Sequence, residues 1–133
     1  MAAVRGRYAR LLREQRVGRL GTLSEDNTIH IVPICYAYDG KAIYIGAETE
    51  SKKVRNLRRS NKATLVVDVY YEDWRRLMGM MIQGEVELHE DGGTFIYGRR
   101  LLYRKYKQYE KQAPLQPRES TIIKLIPKKI ITF

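Results

Sequence analysis

Residues 51–53 read Ser-Lys-Lys and open the stretch SKKVRNLRRS, in which Val54 and Leu57 recur at helical spacing. Ser51 is a good N-cap residue, because its hydroxyl can accept from the free N–H groups of a first helical turn. Lys52 and Lys53 then fall in that turn, where the helix dipole already presents positive charge. Acidic residues are the usual choice there. Such local conflicts concentrate at functional sites, and an anion held at the helix start would resolve this one.

The chain offers little else in the way of reactive constellations. His30 and His89 are its only histidines, and both fall in strand-like runs. Cys35, the single cysteine, sits in an apolar run as a small hydrophobe would. One cysteine permits no intrachain disulfide and no cysteine-built metal site, which suits a reducing cytoplasm. There is no His-x-x-x-His spacing, no GxGxxG and no Walker-type loop. Glu85 and Glu87 share a strand face without the marks of an acid–base pair. No metal is expected, and the residues name no catalytic group.

The chain has 133 residues, which fits one domain spanning 1–133. A chain of this size buries about two-thirds of its surface on folding. The opening MAAVRGRYARLL lacks the apolar core of a signal peptide. No stretch approaches the roughly 20 apolar residues needed to span a membrane. Net charge is +10, from 25 Lys and Arg against 15 Asp and Glu. That balance fits an anionic partner or a heavily solvated surface. The basic residues gather in RGRYARLLREQR, SKKVRNLRR and YGRRLLYRKYKQYEK, all helix-like. In the last, Tyr97, Tyr103, Tyr106 and Tyr109 interleave with Arg and Lys. This could be a nucleic-acid surface with stacking and phosphate contacts. Tyrosine packing beneath solvated charges is favoured, since no nucleic-acid motif accompanies it.

The elements that must position Ser51–Lys53 follow from periodicity. Val4, Tyr8, Leu11 and Leu12 mark one face of a first helix. VGRLGTL and IHIVPICYAY read as strands around the turn SEDNT, and Asp39-Gly40 turns into AIYIG, giving a three-stranded meander. Pro33 makes the second strand an edge, or leaves its backbone free to face a ligand. KATLVVDVYY reads as a fully apolar strand, EDWRRLMG as a connection, and MMIQGEVELHE as a strand ended by Asp91-Gly92-Gly93. TFIYGRRLLYRKYKQYEK reads as a helix, and STIIKLIP with KKIITF as a terminal strand interrupted at Pro127. About six strands in meanders with three helices predict a mainly β fold, a small antiparallel barrel with helices packed outside.

The order of HIVPICYAYDG, AIYIGAETE, SKKVRNLRRSNKATLVVD and MIQGEVEL resembles the flavin-binding split-barrel proteins, the pyridoxamine 5′-phosphate oxidase-like superfamily. YEDWRRL and RKYKQY are similar to its small, deazaflavin-dependent members. The resemblance runs from about Arg16 to Phe133. It implies a six-stranded antiparallel split β-barrel with flanking helices, forming a homodimer with flavin mononucleotide (FMN) at the interface. An 8-hydroxy-5-deazaflavin coenzyme is the alternative. It also implies that Ser51, Lys52 and Lys53 hold the phosphate. His30, Ile31, Val32, Pro33, Ile34 and Cys35 would face the isoalloxazine ring, Gly46 and Ala47 would lie beside the ribityl phosphate, and Gly79 and Met80 would meet the flavin of the partner chain. The implied function is a cytoplasmic oxidoreductase whose hydride chemistry belongs to the cofactor. A flavin or haem-type carrier and a basic nucleic-acid-binding module are the alternatives. His30 and Cys35 stand where true pyridoxamine phosphate oxidases carry Arg and Lys, and KLIPKKIITF replaces their Arg-rich, Trp-containing end. Pyridoxamine phosphate oxidation itself is therefore not expected.

Overall fold

Apolar alternation builds most of the strands in the computed structural model, which describes residues 2–133. A helix α1 (Gly6–Glu14) precedes β1 (Gly18–Leu23), β2 (Ile29–Ile34), β3 (Ala37–Tyr38) and β4 (Ile43–Glu48). Helix α2 (Lys52–Arg59) and β5 (Lys62–Val69) follow, then a 3-10 turn (Trp74–Arg76) and β6 (Met78–His89). Helices α3 (Gly92–Lys105) and α4 (Tyr109–Gln112) lead to β7 (Ser120–Thr132).

The described strands form one antiparallel seven-stranded sheet in the order β2-β1-β5-β6-β7-β4-β3. Its two edges are halves of a single chain segment, residues 29–38. β2 pairs with β1, and β3 pairs with β4 at the far edge. The sheet therefore curls until one segment bridges both edges, with Cys35 and Tyr36 at the crossing. This break makes seven strands of the expected six. It also corrects the expected meander, because β4 lies beside β7 and β3, not β2.

Tyr36 is fully buried at the crossing, and its hydroxyl donates to the Leu12 carbonyl (2.6 Å). The interior is filled from β1, β4, β5 and β6 by Leu20, Ile45, Leu65, Val67, Met80 and Ile82, together with Val54 and Leu57 of α2. A second core lies between the sheet and α3, around Tyr44, Phe95, Leu102, Tyr106 and Ile122.

Other expectations are met in modified form. β5 is not buried on both faces. Ala63, Leu65 and Val67 point inward, while Thr64 and Val66 are half-exposed. β7 runs through Pro127 without a break, because the register with β6 shifts between Gln83 and Gly84. That bulge accommodates the missing N–H. A Cβ on Gly84 would collide with the Ile126 carbonyl oxygen. Asp91-Gly92-Gly93 follows the end of β6 as read, Gly92 and Gly93 also begin α3, and the expected single late helix stops at Lys105 before α4. The Asp39-Gly40 turn forms as read. Asp39 Oδ1 accepts from the backbone nitrogens of Lys41 and Ala42, both at 2.8 Å, and Gly40 adopts φ +97.

Candidate functional site

Helix α2 is anchored by its inner face. Val54 and Leu57 enter the barrel core, and buried Asn56 donates from Nδ2 to Thr22 Oγ1 (3.0 Å). Arg58 donates to the Thr49 carbonyl (3.1 Å) and Arg59 to the Leu23 carbonyl (2.8 Å). Both arginines are exposed, as their position on the helix suggests, but each is also tied to the fold through a backbone carbonyl.

The helix start is the unusual part. Ser51 occupies the N-cap position with extended backbone (φ −68, ψ 156), yet its hydroxyl makes no capping hydrogen bond. Ser51 Oγ is buried and has no partner. Two more buried polar atoms share that condition, Ser24 Oγ after β1 and His30 Nδ1 on β2. Lys52 is common to their surroundings, following Ser51 in the chain, sharing a groove with Ser24 and acting on His30 through its charge. Ser24 lines a groove of about 580 Å³ with Lys52, Arg55, Asn56 and Arg59. His30 faces Thr22 across the β1–β2 pair. Burial lowers its pKa, and the charges of Lys52 and Lys53 lower it further.

Lys53 is half-buried, and burial lowers its pKa against the opposing pull of Glu48. Among the described residues neither Lys52 nor Lys53 forms an ion pair. Asp26 on the groove rim is already engaged, accepting from Thr28 N (3.1 Å) and Thr28 Oγ1 (2.6 Å). Unpaired buried polar groups are costly and call for a partner. Hydroxyls, an imidazole, ammonium groups and free first-turn N–H groups are the donors that an anion would use.

The remaining positions of interest are distributed around the barrel. His30, Val32 and Ile34 turn inward from β2, whereas Ile31 and Pro33 turn outward. β2 is an edge strand, which accommodates Pro33. Cys35 lies beyond the strand end and packs with the core on the α3 side. Gly46 is explained by packing, since a Cβ there would press on Leu115 at 2.9 Å. Ala47 is buried in the barrel core. Gly79 lies under the Phe133 ring, and Met80 is fully buried. Gly79 pairs with Asp68 at the end of β5, beside the start of β1, whereas Ser24 and α2 stand at the end of β1. Six residues of strand, about 16 Å, separate these two ends.

One chain thus gathers His30, Ser51, Lys52 and Lys53 and leaves Gly79 and Met80 apart. It adds Ser24 and Asn56, which sequence reading had not selected. Asn56 carried the one available signal, a polar residue beside Leu57 on the apolar side of a short helix.

The late-helix tyrosines are engaged in packing. The Tyr97 hydroxyl donates to Asp39 Oδ2 (2.9 Å), Tyr103 Oη accepts from the Leu115 nitrogen (2.9 Å), and Tyr109 stacks edge-on against Tyr106. A second groove, about 690 Å³, runs over the outer face of the sheet, floored by Leu23, Ile29, Ile31, Val66 and Met81. Among the described residues no group of three or more potential metal ligands occurs, and no helix is long and apolar enough to cross a membrane.

A family model described as pyridoxamine 5′-phosphate oxidase matches residues 4–133. No curated protein matches the sequence. Similar solved structures include a conserved hypothetical protein of Mycobacterium tuberculosis, with TM-score 0.82 and 18% identity over 98% of this chain and 86% of that one. An F420 reductase aligns with TM-score 0.77 and 21% identity over 96% and 98% of the two chains. A FAD-binding protein of Mesorhizobium loti aligns with TM-score 0.76 and 20% identity over 93% and 89%. At these identities the likeness is one of fold.

Proposed function

The chain belongs to the pyridoxamine 5′-phosphate oxidase family, and from that premise we propose that it binds FMN through the phosphate and serves as a cytoplasmic oxidoreductase. The observation that carries this reading is three buried, unpartnered atoms: Ser51 Oγ at the start of α2, Ser24 Oγ beside the groove that Lys52 lines, and His30 Nδ1, whose ring feels the charges of Lys52 and Lys53. A phosphate offers enough acceptor oxygens for both hydroxyls, the lysines and the first-turn N–H groups. The residues present therefore fit the cofactor's anionic end.

Ser51, Lys52 and Lys53 hold the phosphate in this reading, with His30 and Ser24 completing its shell. The free edge of β2 provides backbone groups for the ring. Gly46 and Ala47 act indirectly, by allowing β4 to lie close beneath its neighbours. Bound flavin supplies hydride or electron transfer, and the protein supplies binding, orientation and the local field. His30 and Cys35, in place of basic groups, leave no second phosphate-binding pair on this strand, so the substrate is not pyridoxamine phosphate. Residues 1–133 act as one domain within a homodimer, the cofactor lying at the interface. A carrier role without turnover is separated from catalysis by anaerobic reduction of the bound cofactor with candidate donors.

A second reading rests on the groove beside α2. Lys52, Arg55 and Arg59 line it beyond the phosphate corner, which suits a deazaflavin coenzyme with a polycarboxylate tail. FMN remains first, because Arg59 is bonded to Leu23 and Glu25 and Asp26 also line the groove.

Titration with FMN and with the deazaflavin, each followed by fluorescence quenching at low and high salt, tests both readings. Micromolar FMN binding supports the first. Tighter and more salt-sensitive deazaflavin binding, lost with the tail, selects the second. Absence of binding by either removes the proposal.

A further inference from the structure

Of the three basic segments in the sequence, SKKVRNLRR carries the phosphate corner, whereas RGRYARLLREQR and YGRRLLYRKYKQYEK have no part in it. These two lie on α1 and α3, far apart in the chain, and the fold joins them. Arg16 Nη1 donates to the Lys105 carbonyl (2.8 Å), and Lys105 Nζ donates to the Gln15 carbonyl (2.7 Å). The end of each helix thus receives a cation from the other, which accounts for those charges. Further along, Arg13 of α1 reaches the Asp39-Gly40 turn, its guanidinium 5.4 Å from the Tyr38 ring centre. Tyr97 of α3 meets the same turn, donating to Asp39 Oδ2 (2.9 Å). Helix, turn and helix make one continuous surface.

Four cations on this surface lack such an account: Arg13, Lys41, Arg100 and Arg104 are exposed, and among the described residues none of them enters an ion pair. Arg100 and Arg104 stand at i, i+4 on α3, where like charges repel. Both also act on the Tyr97 hydroxyl, whose pKa is raised chiefly by its bond to Asp39. Acids are scarce here. Helix α3 contains none, and α1 contains only Glu14, which is bonded to Arg10 (2.9 Å). Asp39 is occupied by the Lys41 and Ala42 nitrogens and by the Tyr44 and Tyr97 hydroxyls. An anionic partner relieves the repulsion that the chain itself leaves standing.

The side chains among these cations select the partner. Tyr97, Tyr103 and Tyr109 are held by Asp39, Leu115 and Tyr106, so they are not free to stack on bases. Ile96 (46% exposed) and Tyr97 (38% exposed) stand on α3 with Arg100, Ile96 one helical turn before it. The boundary layer of a bilayer accepts isoleucine and tyrosine among basic side chains, whereas a phosphodiester backbone offers isoleucine nothing. We infer that the α1–α3 face docks on a bilayer surface rich in anionic phospholipid, with Arg13, Lys41, Arg100 and Arg104 on the headgroup phosphates and Ile96 entering the headgroup layer.

Co-sedimentation of the full chain with vesicles tests this, using equal parts of phosphatidylcholine and phosphatidylglycerol against phosphatidylcholine alone. Wild type is expected to go down with the anionic vesicles at low salt, to be released at high salt, and to ignore the neutral vesicles. Each basic side chain near such a surface counts for about fivefold in affinity, so Arg100→Gln/Arg104→Gln is expected to bind about twentyfold less tightly. Ile96→Ser is expected to lose about threefold. Lys128→Gln/Lys129→Gln removes the same charge from exposed positions on β7 and is expected to stay within about twofold of wild type. All these side chains are exposed, so the variants keep the fold. The inference is overturned if wild type does not sediment with the anionic vesicles, if the β7 pair loses as much as the α3 pair, or if Ile96→Ser binds as wild type does. Tighter binding of a DNA duplex than of the vesicles at the same salt also overturns it and assigns the face to nucleic acid.

Discussion

The Tyr106 hydroxyl lies 3.1 Å from the backbone nitrogen of Tyr36 and 3.0 Å from the Tyr36 carbonyl oxygen, at the crossing where β2 becomes β3. It accepts from the nitrogen, and its single proton serves either that carbonyl or the Arg16 carbonyl at 2.8 Å. A side chain from the end of α3 thus takes the place of a neighbouring strand where ladder pairing lapses. Burial pushes the Tyr106 pKa up to about 12, so the proton stays in place at neutral pH.

Tyr106→Phe leaves the Tyr36 nitrogen and a carbonyl without their partner. The expected loss of stability is about 1 to 3 kcal/mol, the range for a buried group left unsatisfied. Urea unfolding measures it. FMN affinity should stay unchanged, because the phosphate corner proposed above lies at α2 and not at α3. A fall in affinity matching the fall in stability would show that the closure and the site are coupled.

Lys105 makes stability depend on alkaline pH. Its ammonium donates to the Gln15 carbonyl (2.7 Å) and sits 4.0 Å from the Tyr36 ring centroid. Burial, with Arg16 adding repulsion, lowers its pKa from 10.5 to about 8. Between these values the unfolded chain binds more protons than the folded one, so stability rises with pH across this window and the gain is lost below about 8. Burial raises Tyr36, Tyr44, Tyr106 and Tyr109, which act in the opposite sense once unfolded tyrosines ionise above about pH 10. Thermal melts should show stability increasing from pH 8 towards 10 and then falling. Lys105→Met should flatten the rise, with a residue left to Lys53, whose pKa is also lowered.

Lys53→Ala should weaken FMN binding by about 1 to 3 kcal/mol, the range for a charge-assisted hydrogen bond. The control is Arg100→Ala, an exposed charge on α3. Arg58 and Arg59 are unsuitable controls, since each bonds a backbone carbonyl. Equal weakening by Lys53→Ala and Arg100→Ala at fixed salt would reduce the effect to overall charge.

His30 provides a pH test of the same corner. Its pKa is lowered from 6.5 by burial and by the two lysines. A phosphate beside it offsets the lysines and raises that pKa, so binding takes up a proton and His30 favours binding more as pH falls from 7 to 5. Protonation of the phosphate, with a pKa near 6, opposes this. The ratio of wild-type to His30→Gln affinity separates the two and should grow as pH falls. A flat ratio excludes His30 from the site.

The local conflict at Ser51–Lys53 was legible in the sequence because it concerns one helix and its own dipole. Strand positions were legible for the same reason, since Leu20, Leu65 and Ile82 follow a period of two set by the backbone alone. Whether residues 29–38 make one strand or two was not legible. That depends on how far the sheet curls before its edges meet, and sheet twist accumulates over strands distant in the chain. Cys35 and His30 were read as one ring-facing run, but the break after Ile34 sends Cys35 to the α3 side. Ser51 was read as a cap, and the local pattern could not reveal that its hydroxyl goes unused. That Ser24, His30 and Ser51 are each left with a buried, unpartnered atom is decided by how α2 packs against β1. A buried polar atom is unsatisfied only relative to its neighbours in space, and those neighbours come from segments up to 27 residues apart, Ser24 to Ser51.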